Sequence, residues 1–129
     1  MTVLEEEACI VRNEQVGPRL HMLELESPCI AQSIAPGQFV HVRIPNKSAH
    51  ILRRPFSIYD CSEQAGTMKI LYQEVGSLTK YLPAIQSGHL SVMGPIGKGW
   101  SALQRYADGR LSHALIVGGG VGAAPLFML

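Results

Sequence analysis

Short apolar strands separated by turn residues constrain the fold of this chain more than any other feature. Apolar and polar residues alternate over short segments, and each segment ends near Gly, Pro, Ser or Asn residues, a pattern typical of strands joined by turns. The predicted strands are residues 8–15, 19–25, 38–44, 55–61, 67–75 and 89–93. This pattern predicts a mainly β fold, a six-stranded antiparallel Greek-key barrel with one small helix.

The small helix is expected between the fifth and sixth strands. Four apolar residues recur at helical spacing between Ser77 and Ile85. Ser77 suits the N-cap and Gly88 suits the stop, while Pro83 predicts that the helix is short or distorted.

The end of the chain has a different pattern. Residues 114–117 form a continuous apolar run, typical of a strand in a parallel sheet, and lead into a glycine-rich turn. We therefore predict a barrel over residues 1–103 and, over residues 104–129, the first strand and turn of a truncated α/β nucleotide-binding domain. Because an unpaired apolar strand recruits other chains, we expect residues 112–129 to be mobile or held by a second copy in a homodimer.

Composition and charge exclude several kinds of partner. The net charge of +1 indicates neither nucleic acid nor a membrane surface as a partner. Glutamates interrupt the N-terminal stretch where a secretory signal needs an apolar core, and no run reaches transmembrane length. The spacing of Cys9, Cys29 and Cys61 fits neither a disulfide framework nor a zinc site, which predicts reduced thiols, no metal site and a cytoplasmic protein.

The segment at residues 52–58 carries the first candidate site. Strand alternation allows Arg54 and Phe56 to share one face, with Ser57 at the next position. An arginine suits a phosphate, an aromatic ring suits stacking, and a hydroxyl suits a heteroatom of a flat cofactor. The alternative is an edge strand with a solvated arginine.

The start of the predicted helix is a second candidate for binding an anion. Backbone N–H groups at residues 77–80 and the hydroxyls of Ser77 and Thr79 could face a phosphate there. If Arg54 lies on the adjacent strand, both groups converge on one pyrophosphate. An ordinary helix N-cap is the alternative.

Two glycine-rich segments complete the candidates. Residues 118–122 follow the apolar run, where glycines let a backbone approach a phosphate closely. Pro125 departs from the strict dinucleotide fingerprint, and the chain ends before the acidic residue that would support it. Residues 94–100 predict a stiff loop at the end of the barrel. The alternative for residues 118–122 is a turn without a ligand, and the alternative for residues 94–100 is a plain interdomain linker.

In their order along the chain, these segments resemble the ferredoxin reductase-type flavoprotein family. They are Arg-Pro-Phe-Ser at 54–57, Gly-Ser-Leu-Thr at 76–79, the loop at 94–100 and the glycine-rich segment at 118–125. The resemblance covers essentially the whole chain and implies an FAD-binding barrel followed by a domain that binds a nicotinamide nucleotide. The doubled arginine at 53–54 is most similar to the electron-transfer subunits of dihydroorotate dehydrogenase, although those often have glycine where Leu78 stands.

The resemblance also implies roles for individual residues. Arg54 would hold the FAD pyrophosphate, and Ser57 would hydrogen-bond near the reactive flavin nitrogen. The residues implied to bind FAD are Arg54, Pro55, Phe56, Ser57, Leu71, Tyr72, Gln73, Gly76, Leu78 and Thr79. Those implied to begin an NAD site are Gly118, Gly119, Gly120 and Gly122. No residue is implied to be catalytic, because the flavin supplies the chemistry.

Electron transfer is the function that the resemblance implies. The complete protein would move electrons between a catalytic dihydroorotate dehydrogenase subunit, a [2Fe-2S] cluster and NAD in pyrimidine biosynthesis. The cluster cysteines would lie beyond this chain, which alone is not expected to oxidise NADH usefully. Within the family, the alternative is a flavin subunit of a sulfide dehydrogenase or of an NADH-dependent ferredoxin oxidoreductase. In another class, the alternative is a non-catalytic β-barrel binding module, which would be colourless.

Overall fold

One antiparallel sheet of seven strands forms the fold, in the order β4-β3-β7-β1-β2-β6-β5. The computed structural model describes residues 2–45, 52–101 and 113–129. The strands are β1 Leu4–Gly17, β2 Leu20–Glu26, β3 Phe39–Arg43, β4 Arg54–Ser57, β5 Asp60–Ser62, β6 Thr67–Gln73 and β7 His89–Ile96. The helices are α1 Pro28–Ala31 and α2 Gly76–Thr79, with 3-10 helices at Leu82–Ala84 and Gly120–Leu126. Within these described ranges, no helix has the length and apolar character needed to cross a membrane.

The sheet closes into a barrel where β4 passes into β5. Ile58 N–H donates to the Gln38 carbonyl (3.2 Å), and the next residue, Tyr59, donates to the Lys69 carbonyl (2.8 Å). Ile58 thus bonds to the residue just before β3, and Tyr59 bonds to β6. Because β3 and β6 lie next to the two ends of the strand order, these bonds bring the two edges of the sheet together. The predicted strand 55–61 is therefore two short strands, which raises the count from six to seven. The predicted class, a mainly β antiparallel barrel, is confirmed.

Strand alternation builds the core inside this barrel. Every second residue of β2 and of β6 is buried, so one face of each strand points inward. Burying a large aliphatic side chain contributes roughly 1.5–3 kcal/mol. The largest fully buried side chains are Tyr72, Leu23, Leu25, Ile30, Ile58, Met68, Ile70, Leu82, Leu90, Val40, Val42 and Val92.

The sequence pattern did not predict helix α1. A residue of strand β1 caps the N-terminus of this helix. Pro28 stands in its first turn, where a missing N–H costs nothing, and Ser27 makes no side-chain cap. Instead the Glu6 carboxylate of β1 accepts the Ser27 hydroxyl and the Ile30 N–H. The helix is therefore tied to β1 by a carboxylate that acts as its cap.

The helix predicted between Ser77 and Ile85 is shorter than expected. Only Gly76–Thr79 is α-helical, and Val75 rather than Ser77 stands at the N-cap, without a side-chain cap. The chain continues as the 3-10 helix Leu82–Ala84, which contains Pro83. The distortion expected from the proline is therefore present, while the predicted N-cap is wrong.

The end of the chain packs on its own barrel. Residues 113–119 have no strand assignment, so the strand predicted at 114–117 is wrong, because no described strand lies beside it to form a ladder. The 3-10 helix after it buries Ala124, and the Trp100 Nε1–H donates to the Pro125 carbonyl (2.8 Å). These contacts hold the 3-10 helix within the chain, whereas Leu115, Ile116 and Val117 are exposed, and a second copy that would hold them stays a prediction. The boundary predicted at 103/104 lies outside the described residues and stays a prediction.

Candidate functional site

The barrel wall is open between β4 and β6. β4 pairs with β3, and β5 pairs with β6 only over residues 67–69. The free edge of β4 and the second half of β6 therefore face each other without a ladder in the described part of the chain. A cleft of about 590 Å³ follows this gap, within the size range of small-molecule sites.

The cleft brings together all ten residues predicted to bind FAD. They come from β4, from residues 71–73 of β6 and from α2. Of the glycines predicted for NAD, Gly122 lines the same cleft, whereas Gly118, Gly119 and Gly120 lie outside its lining. The lining residues outside the predicted set are Val75, Ser77, Val121 and Ala124.

Arg54 supplies a cation at this cleft. Its side chain is exposed and has no hydrogen-bond or ion-pair partner among the residues that the structure describes. Arg53 differs, because its guanidinium donates to the Ser91 carbonyl (2.9 Å) and pairs with the Glu5 carboxylate. Of the doubled arginine, the second residue can therefore meet an anionic ligand, and the first holds the barrel together.

Apolar side chains form the floor and one wall of the cleft. Phe56 is half-buried and meets the Tyr72 ring edge-on, with ring centroids 6.2 Å apart. Tyr72 is only 1% exposed, so it forms the floor rather than a side wall. Leu71 and Gln73 flank it on the outward face of β6 and are half-buried. A flat ring placed here would meet carbon on one side and a strand edge on the other.

The turn at α2 forms the opposite wall. Gly76 has a φ of +75°, which favours glycine, and a Cβ there would meet no atom within 4 Å. Leu78, which replaces the expected glycine, is largely buried in the core cluster and also contributes to the lining of the cleft. The Thr79 hydroxyl accepts the Val75 N–H (2.7 Å) and donates to the Val75 carbonyl. The Thr79 side chain therefore fixes the turn, and its oxygen is already engaged within the chain.

A buried polar network lies beneath the cleft, and sequence reasoning missed it. The Tyr72 hydroxyl donates to Asn13 Oδ1 (2.8 Å), and His21 stacks on the Tyr72 ring at 5.1 Å. His21 Nε2 also lies 3.0 Å from Glu74 Oε2. Burial is the largest cause that raises the pKa of Tyr72 to about 12, and the Glu74 charge adds to this. Tyr72 therefore remains a neutral donor at physiological pH.

The predicted stiff loop at 94–100 does not line the cleft. A Cβ at Gly99 would meet the Pro36 carbonyl oxygen at 2.6 Å, and Trp100 N–H donates to that same carbonyl (2.8 Å). The Gln38 side chain donates to the Gly97 carbonyl (2.8 Å). The close approaches that these glycines permit are therefore to the turn before β3.

The cysteines take no part in the cleft lining. Cys9, Cys29 and Cys61 form no disulfide. Within the described ranges, no group of three or more His, Cys, Asp or Glu side chains is placed to hold a metal ion.

Comparison with known proteins identifies similar chains. The family model described as "Oxidoreductase FAD-binding domain" matches residues 7–100. A relative in Fusobacterium nucleatum subsp. nucleatum, named dihydroorotate dehydrogenase B (NAD(+)), electron transfer subunit, is 34% identical over 96% of this chain and 47% of its own. A relative of the same name in Geobacillus thermodenitrificans is 35% identical over 96% of this chain and 48% of its own. The chain thus spans about half the length of these curated relatives.

Solved structures share the fold. A ferredoxin NADP+ reductase from Neisseria gonorrhoeae, solved with bound FAD and NADP, has a TM-score of 0.68 at 17% identity, over 95% of this chain and 49% of its own. An NADH-dependent reduced ferredoxin-NADP oxidoreductase has a TM-score of 0.64 at 24% identity, over 71% of this chain and 33% of its own. At these identities the likeness supports the barrel architecture alone.

Proposed function

We propose that the cleft between β4 and β6 binds FAD, on the premise that this chain belongs to the family of oxidoreductase FAD-binding domains. The observation that carries the proposal is the open barrel wall. All ten residues selected from the sequence lie along that one opening, although they come from three separate segments. Such a convergence is what a single extended ligand requires.

The chemistry of the lining fits each part of FAD. Arg54 offers a guanidinium to the pyrophosphate, and Pro55, Phe56 and Leu71 offer apolar surface to the isoalloxazine. The free edge of β4 and the Ser57 hydroxyl offer hydrogen bonds to ring heteroatoms. When bound, FAD would supply the electron chemistry by exchanging a hydride or single electrons. The role of this chain is to bind and orient the cofactor.

For the complete protein, we propose the electron-transfer role named in its relatives. The FAD barrel would occupy residues 1–103, and residues 104–129 would begin a nicotinamide-binding domain at Gly118, Gly119, Gly120 and Gly122. Electrons would pass between NAD, FAD, a [2Fe-2S] cluster and a catalytic dihydroorotate dehydrogenase subunit. The names of two relatives at 34–35% identity support the parts played by dihydroorotate dehydrogenase and NAD, and the cluster is implied by the family resemblance alone.

The first experiment is a visible spectrum of the purified chain, followed by titration with FAD and, as the matched control, with riboflavin. The proposal predicts a flavin spectrum and saturable binding of FAD at one site. Riboflavin should bind more weakly, because it lacks the pyrophosphate that Arg54 would meet. A colourless chain that binds neither compound would contradict the proposal and favour the non-catalytic barrel.

A second experiment tests the electron partner. The complete protein, loaded with FAD, is mixed anaerobically with a dihydroorotate dehydrogenase catalytic subunit from a relative's source organism, and dihydroorotate is added. Bleaching of the flavin absorbance that requires both substrate and subunit supports the proposed role. Bleaching by sulfide alone, without that subunit, would instead support the sulfide dehydrogenase alternative.

A further inference from the structure

We propose that Asn13 is a positioning residue that sets the shape of the cleft, an inference that rests on the proposed function. Asn13 lies on β1, is 5% exposed, and is not part of the cleft lining. Its Nδ2 donates to the carbonyls of Leu82 (2.8 Å) and Ile85 (3.0 Å). Its Oδ1 accepts the Tyr72 hydroxyl (2.8 Å). One buried amide therefore joins β1, β6 and the connection that follows α2.

The partners of Asn13 are the floor of the cleft and the connection that follows the α2 wall. Tyr72 is the floor, and its ring meets Phe56. Leu82 and Ile85 do not line the cleft themselves, but they follow α2, which does, and the Tyr81 N–H ties that connection to α2 by donating to the Leu78 carbonyl (3.1 Å). Asn13 thus fixes the separation of floor and wall from behind.

The geometry predicts a local effect when this amide is removed. Asn13 is buried, so its loss would leave two carbonyls and one phenol without their partner in a low-dielectric interior. The strand ladders of the barrel do not use the Asn13 side chain, whereas the connection between β6 and β7 has no ladder of its own. That connection is therefore the part free to move, and it carries the cleft wall.

His21 is a second brace on the same floor. Its ring stacks on Tyr72 with an interplanar angle of 15°, and Nε2 is 3.0 Å from Glu74 Oε2. This pair holds the Tyr72 ring, but among the described residues neither His21 nor Glu74 hydrogen-bonds to Leu82 or Ile85, whereas Asn13 bonds to both. The link from floor to wall therefore belongs to Asn13.

The test uses the FAD titration on three variants. Asn13→Leu removes all three hydrogen bonds with little change in size, and Tyr72→Phe removes only the bond to Asn13. Val92→Ala is the control, because Val92 is fully buried on β7 and does not line the cleft. Affinity is measured at a temperature where far-UV circular dichroism shows each variant folded. Visible circular dichroism of the bound flavin reports the shape of its surroundings.

We expect Asn13→Leu to weaken FAD binding about tenfold or more and to change the visible circular dichroism of the bound flavin. Tyr72→Phe should show a smaller effect, about threefold. Val92→Ala should lower stability while keeping both readouts. If Asn13→Leu does not fold, the comparison of Tyr72→Phe with Val92→Ala decides the question.

Three results would overturn the inference. One is a folded Asn13→Leu chain that binds FAD as the wild type does, and another is an equal loss of affinity in Val92→Ala. The third is a wild-type chain that does not bind FAD, which would remove the proposed function as well. A wild type that binds FAD beside variants that bind equally well would reject the role of Asn13 alone.

Discussion

Arg53 and Arg54 are adjacent in the chain but have opposite surroundings. The Arg53 side chain is 11% exposed and is held by Ser91 and Glu5, whereas Arg54 is exposed along the cleft. Consecutive residues of an extended chain point to opposite faces, so the pair divides between the barrel and the opening. The two adjacent arginines therefore have two different environments, and we propose two different roles that mutation can separate.

Arg54→Ala should weaken FAD binding roughly ten- to hundredfold, because a charge-assisted contact with phosphate contributes about 1.5–3 kcal/mol. Arg43→Ala is the matched control, since it removes an exposed arginine on β3 that does not line the cleft. Fluorescence titration with FAD measures both. Equal affinities in the two variants would remove Arg54 from the site.

Arg53→Ala should lower the free energy of unfolding by about 1–3 kcal/mol, because it removes two partly buried, charge-assisted hydrogen bonds to Ser91. FAD affinity should stay near that of the wild type while the variant is folded. Arg12→Ala is the control, since Arg12 makes an exposed ion pair with Glu24, worth about 0–1 kcal/mol. Urea unfolding measures both changes. A larger loss in the Arg12 variant would contradict the structural role given to Arg53.

Local pattern predicted most of the barrel, and it failed where partners far apart in the chain decide the structure. The segment at 55–61 has no glycine or proline after Pro55 and is predicted as one strand, yet Ile58 and Tyr59 bond in opposite directions and divide it. The run at 114–117 reads as a strand, but a strand exists only beside another, and none is described there. Neither outcome can be predicted from the residues of the segment alone.

The residues that line the cleft were predictable because they stand in short segments that resemble motifs of a known family. The buried polar residues beneath the cleft were not predictable. β1 has an irregular register between Ile10 and Arg12, which shifts the alternation by one residue. As a result Asn13, rather than Arg12, is buried. Simple alternation from Ile10 would have placed Arg12 inward. A bulge leaves no composition signal here, so the network under the cleft could be found only in the structure.

Glu6 gives the barrel an acid-sensitive contact. Burial acts to raise the pKa of Glu6, but hydrogen bonds from Ser27, Ile30 and Cys29 outweigh it and hold that pKa below its usual value. The stabilisation that the Glu6 carboxylate gives to the folded state is therefore complete at pH values above the ordinary carboxyl pKa. It is lost as the pH falls through the lowered pKa. Glu6→Gln should cost about 1 kcal/mol at neutral pH and flatten the acid dependence of unfolding.

Glu7→Gln is the control for this prediction, because Glu7 is an exposed neighbour on the same strand. Urea unfolding between neutral and acid pH compares the two variants with the wild type. If the Glu6 and Glu7 variants lose stability equally with falling pH, the carboxylate cap of α1 is not a source of stability.

Tyr72 should make the barrel sensitive to alkali. Its pKa is raised from 10.0 to about 12, mainly by burial, so the folded state holds the phenolic proton more tightly than the unfolded chain does. The contribution is complete below pH 10.0 and is lost as the pH rises through about 12. The free energy of unfolding of Tyr72→Phe should fall less than that of the wild type between neutral and alkaline pH, by roughly 1–3 kcal/mol. Unfolding measured from neutral pH to the alkaline limit, in both chains, tests this slope; identical slopes would contradict it.

One ring pair should contribute to holding the tail at residues 120–128 on the barrel, beside the Trp100–Pro125 hydrogen bond and the buried Ala124. Phe127 stacks on Tyr59 with centroids 4.4 Å apart and an interplanar angle of 13°. An aromatic pair of this kind contributes about 0.5–1.5 kcal/mol beyond buried area. Phe127→Ala should therefore speed amide hydrogen exchange in the tail while leaving the unfolding midpoint of the barrel nearly unchanged. Leu129→Ala, at an exposed position outside the ring pair, is the control. Exchange in the wild-type tail that slows with rising protein concentration would show instead that a second copy holds this segment.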